Sequence, residues 1–156
     1  MQEPSIVPLL EDLKSPDEAV RDCATQALWH IWFGQKGMLG LERLRRAQSL
    51  LEEGNPSEAE ATLTALVQDQ PDFAEAWNRR AVLYYVQGQY QKAIADCETV
   101  IYLNPVHFGA LHGLGLCHAA LGCYADAIEA FQKAIAIQPY GLANQRLLLE
   151  CTLHLG

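Results

Sequence analysis

The sequence predicts an all-α protein, a solenoid of stacked helix–turn–helix repeats, and three observations predict it. Pro71, Pro105 and Pro139 close three segments at a constant interval of 34 residues (105 − 71 = 139 − 105 = 34). The segments, residues 40–73, 74–107 and 108–141, carry small residues in phase: Ala59, Ala93 and Ala127 in one register, Ala47, Ala81 and Gly115 in another. Each also has a glycine at Gly54, Gly88 or Gly122, suited to the left-handed backbone of a helix C-terminus. A unit this short cannot bury its own apolar face, so it stacks on its neighbours. A row of stacked hairpins is a surface for holding something.

Residues 1–39 read as a helical hairpin that precedes and caps the repeats. A short helix is expected over Ile6–Leu13. A longer one starts at Ser15-Pro16-Asp17-Glu18, with Ser15 as N-cap, Pro16 at the first helical position and Glu18 closing a capping box. Val20, Cys23, Ala24, Ala27, Leu28, Ile31 and Trp32 then mark one helix face, ending near Phe33. Trp29 and Phe33 lie off that stripe. Packing against Leu41, Leu44 and the first repeat is preferred over an exposed aromatic patch, because that repeat needs a cover. Gly34, Gly37 and Gly40 bracket a connector.

Within each repeat, helix A ends near the glycine, helix B follows, and the proline stops helix B and sets the next turn. Residues 142–156 hold one more helix, Leu142–Leu155, expected to cap the open end of the stack. Leu147, Leu148, Leu149, Leu153 and Leu155 are many for a lone cap. They leave open a longer native chain or pairing with a second copy.

Composition narrows the function classes. The 156 residues are one domain's worth of chain, half of them hydrophobic. A formal net charge of −8 argues against nucleic acid or an anionic membrane as the main partner. No stretch approaches the ~20 apolar residues of a membrane-spanning helix. The opening MQEPSIVPLL lacks the basic and apolar regions of a secretory signal. Cys23, Cys97, Cys117, Cys123 and Cys151 are odd in number and sit mostly on apolar helix positions. Reduced thiols and a cytoplasmic location are the simplest reading.

The repeat positions resemble the tetratricopeptide repeat. The second unit places Trp77, Ala81, Tyr84, Gly88, Tyr90, Ala93, Val100 and Pro105 at that family's signature positions. The third places Leu111, Leu114, Gly115, Gly122, Tyr124, Ala127, Phe131, Ala134 and Pro139 there. The first keeps Ala47, Leu50, Gly54, Ala59, Leu63, Leu66 and Pro71, but has Arg43 where Trp is usual and Pro56 where an aromatic is usual. The resemblance implies a right-handed stack whose A helices line a concave groove that binds a protein or peptide partner. Its register assigns Arg45, Gln48, Asn78, Arg79, Val82, Tyr85, Val86, His112 and Leu116 to the groove, donors beside apolar anchors.

One branch of the family grips a C-terminal carboxylate with Lys, Asn and Arg. The matching positions here are Leu44, Gln48, Arg79, Gly109 and Gly113, which leaves Arg79 alone, so that clamp is not expected. Arg80 and Asp96 are read as a structural pair within the second unit. His112, Cys117, His118 and Cys123 invite a zinc site, but at ~100° per residue Cys117 and His118 point to different faces. No metal, cofactor or catalytic site is expected, for no phosphate-binding loop, His-Glu-x-x-His or nucleophile elbow occurs. The alternative to groove binding is a structural or oligomerising module, a homodimer acting through the C-terminal helix or the aromatic N-terminal patch.

Overall fold

The computed structural model describes residues 5–155, and among them the regular structure is helical throughout. Two helices come first, α1 (Val7–Asp12) and α2 (Glu18–Phe33). Three hairpins follow: α3 (Gly37–Glu52) with α4 (Pro56–Asp69), α5 (Ala74–Val86) with α6 (Tyr90–Leu103), and α7 (Phe108–Ala120) with α8 (Tyr124–Ile137). Helix α9 (Leu142–Leu155) closes the series, packed on α8. The chain is an all-α solenoid.

The turns inside the hairpins share one geometry. Gly54, Gly88 and Gly122 have φ of 81°, 74° and 77°. The residue after each glycine donates its N–H back across the turn: Asn55 to Leu50 O, Gln89 to Tyr84 O and Cys123 to His118 O, all at 2.8 Å. A side chain at those glycines meets open space, so backbone conformation alone selects the residue. Elsewhere the in-phase alanines let helices close up. Ala59, Ala93 and Ala127 are fully buried, and Gly115 takes the smallest size because the Phe131 ring presses on it. The turns between hairpins also repeat: Trp77 Nε1 donates to Pro71 O, and Gln145 Nε2, one unit-pair later, donates to Pro139 O.

The N-terminal pair departs from the sequence reading in three ways. Asp17, not Ser15, is the N-cap of α2; its carboxylate accepts from Ala19 N–H at 2.9 Å. Ser15 instead accepts from Asp17 N–H, and Pro16 stays outside the helix. Helix α3 begins at Gly37, so the expected connector up to Gly40 is already helical. Most consequential is the course of α2. It runs back along the turns between repeats. Arg21 lies 4.2 Å over the Tyr140 ring, Trp29 and Trp32 sit on His107 and Phe108, and Gln35 and Lys36, just past its end, reach Asp72. Phe33 packs on the first repeat's core as expected. Trp29 does not: its neighbours are Trp32, Phe33, His107 and Phe108, because Gly109 leaves a gap that its ring fills.

Candidate binding groove

The expected groove residues sit on α3, α5 and α7, the first helix of each hairpin, and the structure divides them. Arg45 and Gln48 are exposed on α3. Together with Leu41, Leu44 and Arg79, and with His30, Phe33 and Gly34 from the end of α2, they line a cleft of about 350 Å³. Its lining is apolar (Leu41, Leu44, Phe33) beside basic and amide groups, with no carboxylate among those residues. The Arg79 guanidinium lies 4.6 Å over the Phe33 ring, and its Nε is 3.3 Å from Glu75 Oε1. Further along α5, Val82 and Val86 are 51% and 75% exposed. Tyr85 is half-buried beside Tyr90, ring centroids 5.6 Å apart.

Three expected residues are engaged within the fold. Asn78 is only 6% exposed and donates to Glu75 Oε1 at 3.2 Å, so it is no free donor in the groove. His112 Nδ1 lies 2.6 Å from Asn144 Oδ1 on α9. Leu116 packs against the cluster of Ala127, Phe131 and Cys151. Helical register gives the direction of a side chain; it does not say whether α9 or a buried acid claims it.

The structure adds a pair that the sequence reading missed. Glu75 and His107 are fully buried, with Glu75 Oε2 2.9 Å from His107 Nε2. His107 is also the N-cap of α7, its Nδ1 accepting from Ala110 N–H at 3.0 Å. That bond leaves the ring proton on Nε2, which donates it to Glu75. Glu75 therefore accepts from His107 and Asn78 and is ion-paired with Arg79, as a buried carboxylate requires. Trp32 seals the pair, stacked on the imidazole at 4.6 Å with planes 19° apart. A histidine just ahead of a repeat was the available signal; its tryptophan cover comes from far away in sequence.

Arg80 and Asp96 form the structural pair expected of them. Nε and Nη2 each lie 2.8 Å from a carboxylate oxygen, and Nη1 donates to Thr64 at 3.2 Å. That hydrogen bond to Asp96 raises the Arg80 pKa further, outweighing the effect of burial. At the clamp positions, Leu44 is buried, and a Cβ on Gly109 would stand 2.7 Å from Trp29 Cη2. The buried thiols are held protonated: desolvation pushes Cys117 up to about 11, and desolvation reinforced by Cys117 pushes Cys97 up to about 12.

Two family models described as tetratricopeptide repeat match, one over residues 44–105 and one over 109–140. The chain belongs to the tetratricopeptide repeat family. A tetratricopeptide repeat-containing protein of Rhizobium etli is 36% identical over 93 residues, covering 60% of this chain and 46% of that protein. The mouse FK506-binding protein-like is 29% identical over 128 residues, covering 77% of this chain and 37% of its own. This tetratricopeptide chain thus spans less than half the length of those relatives. The first TPR of Spaghetti (RPAP3), solved bound to the HSP90 peptide SRMEEVD, superposes with a TM-score of 0.71. It is 19% identical, covering 74% of this chain and 91% of that one, a likeness of fold. MamA superposes at 0.67 with 27% identity, covering 70% and 64%.

Proposed function

We propose that this tetratricopeptide chain is a non-enzymatic interaction module that holds a partner peptide on the inner faces of α3 and α5. The cleft between α2, α3 and α5 carries the reading. An apolar lining beside Arg45 and Arg79, with no carboxylate among the lining residues, suits an acidic peptide with one apolar anchor. Val82, Tyr85 and Val86 offer further apolar area, whereas His112 and Leu116 contribute only at the margin of α9. Family membership supports the interaction role, and the Spaghetti domain solved with an acidic HSP90 peptide is consistent with the peptide class.

Recognition here does not use the carboxylate clamp. Two of its positions are glycines, one of them under Trp29, and a third is the buried Leu44. The free thiols and the negative charge fit a cytoplasmic protein whose partner is neither nucleic acid nor membrane. No described helix is long and apolar enough to cross a membrane. Fluorescence polarisation with a panel of acidic and basic peptides, each with one aromatic or leucine anchor, tests the groove. Arg45→Glu and Arg79→Glu together should abolish capture of the acidic set, and undiminished capture by that variant rejects the assignment.

One observation favours a second reading, a homodimer through α9. Leu149 and Leu153 are 61% and 71% exposed. They are in phase with Gly115 and Ala119, and one unit earlier with Ala81 and Tyr85, which pack inside their hairpins. Helix α9 is thus an A helix whose B-side face is bare. A concentration-dependent dimer in sedimentation, lost on Leu149→Lys, establishes this reading, and a monomer at every concentration removes it.

A further inference from the structure

The third repeat gathers three metal-ligating side chains at the turn between α7 and α8. His118 belongs to the last turn of α7, Cys123 immediately precedes α8, and Asp126 lies in its first turn. One ligand atom from each lies within 4.8 Å of the other two. This keeps half of the set the sequence raised and replaces the rest. His112 is held by Asn144, and the Cys117 thiol is buried and protonated.

The backbone fixes this spacing before any ion arrives. Cys123 N–H donates to His118 O at 2.8 Å, Gly122 N–H to Ala119 O at 3.0 Å, and Gly122 supplies the positive φ. The same turn occurs in the other repeats, so the register itself is an internal control. The corresponding residues are Tyr84, Gln89 and Lys92 in the second unit, and Leu50, Asn55 and Glu58 in the first. In the second unit the first and third of these also converge, with Lys92 Nζ 5.5 Å over the Tyr84 ring. Only the third unit fills all three places with ligating groups, setting His118 where the second unit carries Tyr84 and the first Leu50.

The surroundings favour a cation. Glu98 and Glu129 line the same cleft as His118 and Asp126, and its Lys133 is engaged by Glu129 at 3.1 Å. A thiolate, an imidazole and a carboxylate are the donor mix of borderline divalent ions. We propose that His118, Cys123 and Asp126 form a three-ligand site for a divalent cation of the zinc class, with a fourth position open to water. Binding exchanges the Cys123 thiol proton for the metal, so the proton is released to solvent and uptake strengthens as pH rises. By joining the end of α7 to the start of α8, the ion stabilises the third hairpin.

The test is calorimetric titration of the tag-free chain with Zn²⁺, repeated with Co²⁺ while watching for thiolate-to-cobalt charge-transfer absorption. The expected result is one equivalent per chain, the charge-transfer band, and a thermal midpoint that climbs with free zinc by mass action. Cys123→Ser should remove the band. Cys123→Ser and His118→Gln should each weaken binding at least about tenfold, the lower end of what disturbing even a group behind a ligand costs. Cys23→Ser, at the other exposed thiol, should change neither readout. Cys123 is exposed, so its variant keeps the fold, which circular dichroism verifies. The site is overturned if the chain takes up no zinc, if uptake survives Cys123→Ser and His118→Gln undiminished, or if it follows Cys23 instead.

Discussion

Glu75 and His107 stand in consecutive turns of the solenoid and share a 2.9 Å hydrogen bond that solvent does not reach. The imidazole has two tasks: its Nε2 proton serves the carboxylate and its Nδ1 caps α7. Removing it leaves a buried charge short of a donor and the helix without a cap. His107→Ala is therefore expected to cost about 2–4 kcal/mol, a hydrogen bond to a charged group plus a lost helix cap. Urea denaturation measures it, and a loss below about 1 kcal/mol would show the pair to be incidental.

The Arg80–Asp96 pair is 15% and 5% exposed at its side chains, and its geometry is bidentate. Asp96→Ala leaves a partly buried guanidinium without its acceptor, and about 3 kcal/mol should be lost. Replacing both by apolar residues, Arg80→Met with Asp96→Leu, should cost far less than the single change. Chemical denaturation of the two variants beside the parent chain checks this ordering.

Gly115 is packed so tightly that a methyl there would stand 2.5 Å from the Phe131 ring. Alanine gains up to about 1 kcal/mol of helix propensity but costs about 1–3 kcal/mol in overpacking. Gly115→Ala should thus be neutral to destabilising even though alanine holds the same register at Ala47 and Ala81. Phe131→Leu should relieve it. In a double-mutant cycle the pair should lose at least about 0.5 kcal/mol less than the sum of the singles.

Alkaline stability follows from the buried thiols. Unfolding returns Cys117 and Cys97 to the ordinary value of 9.0 from about 11 and about 12. Below pH 9 both states keep these protons, and the two groups add no pH dependence. Above it the unfolded chain releases protons that the fold retains, so stability falls as pH rises through the folded values. Thermal melts between pH 8 and pH 11 should show Cys117→Ala losing midpoint less steeply than the parent chain. Cys23 and Cys123, exposed, should react with a thiol reagent in the native state while Cys97 and Cys117 do not.

The repeats were legible because each of their devices is local. A glycine at a positive φ, a proline after a helix and a small residue where two helices close up are set by a few adjacent residues, and the interval then multiplies the signal. Arg80 and Asp96 were paired correctly for the same reason, being opposite each other within one hairpin. The N-terminal helix escaped because nothing in its own sequence states where it docks. Trp29 and Trp32 find His107 and Phe108 across two intervening hairpins. That docking decides which groove positions face a cleft. In the same way α9 claimed His112, and Glu75 claimed Asn78.

The course of α2 changes the mechanical character of the array. A bare row of hairpins coupled only to nearest neighbours behaves as a spring, free to fray from its ends and to alter its pitch. Here α2 and the residues just after it touch the turn at Asp72, the turn at His107 and the turn at Tyr140, bracing the coils against one another as a keel braces ribs. Bracing of this kind is expected to make the three units melt as one body, with a helix outside the repeat helping to hold their curvature.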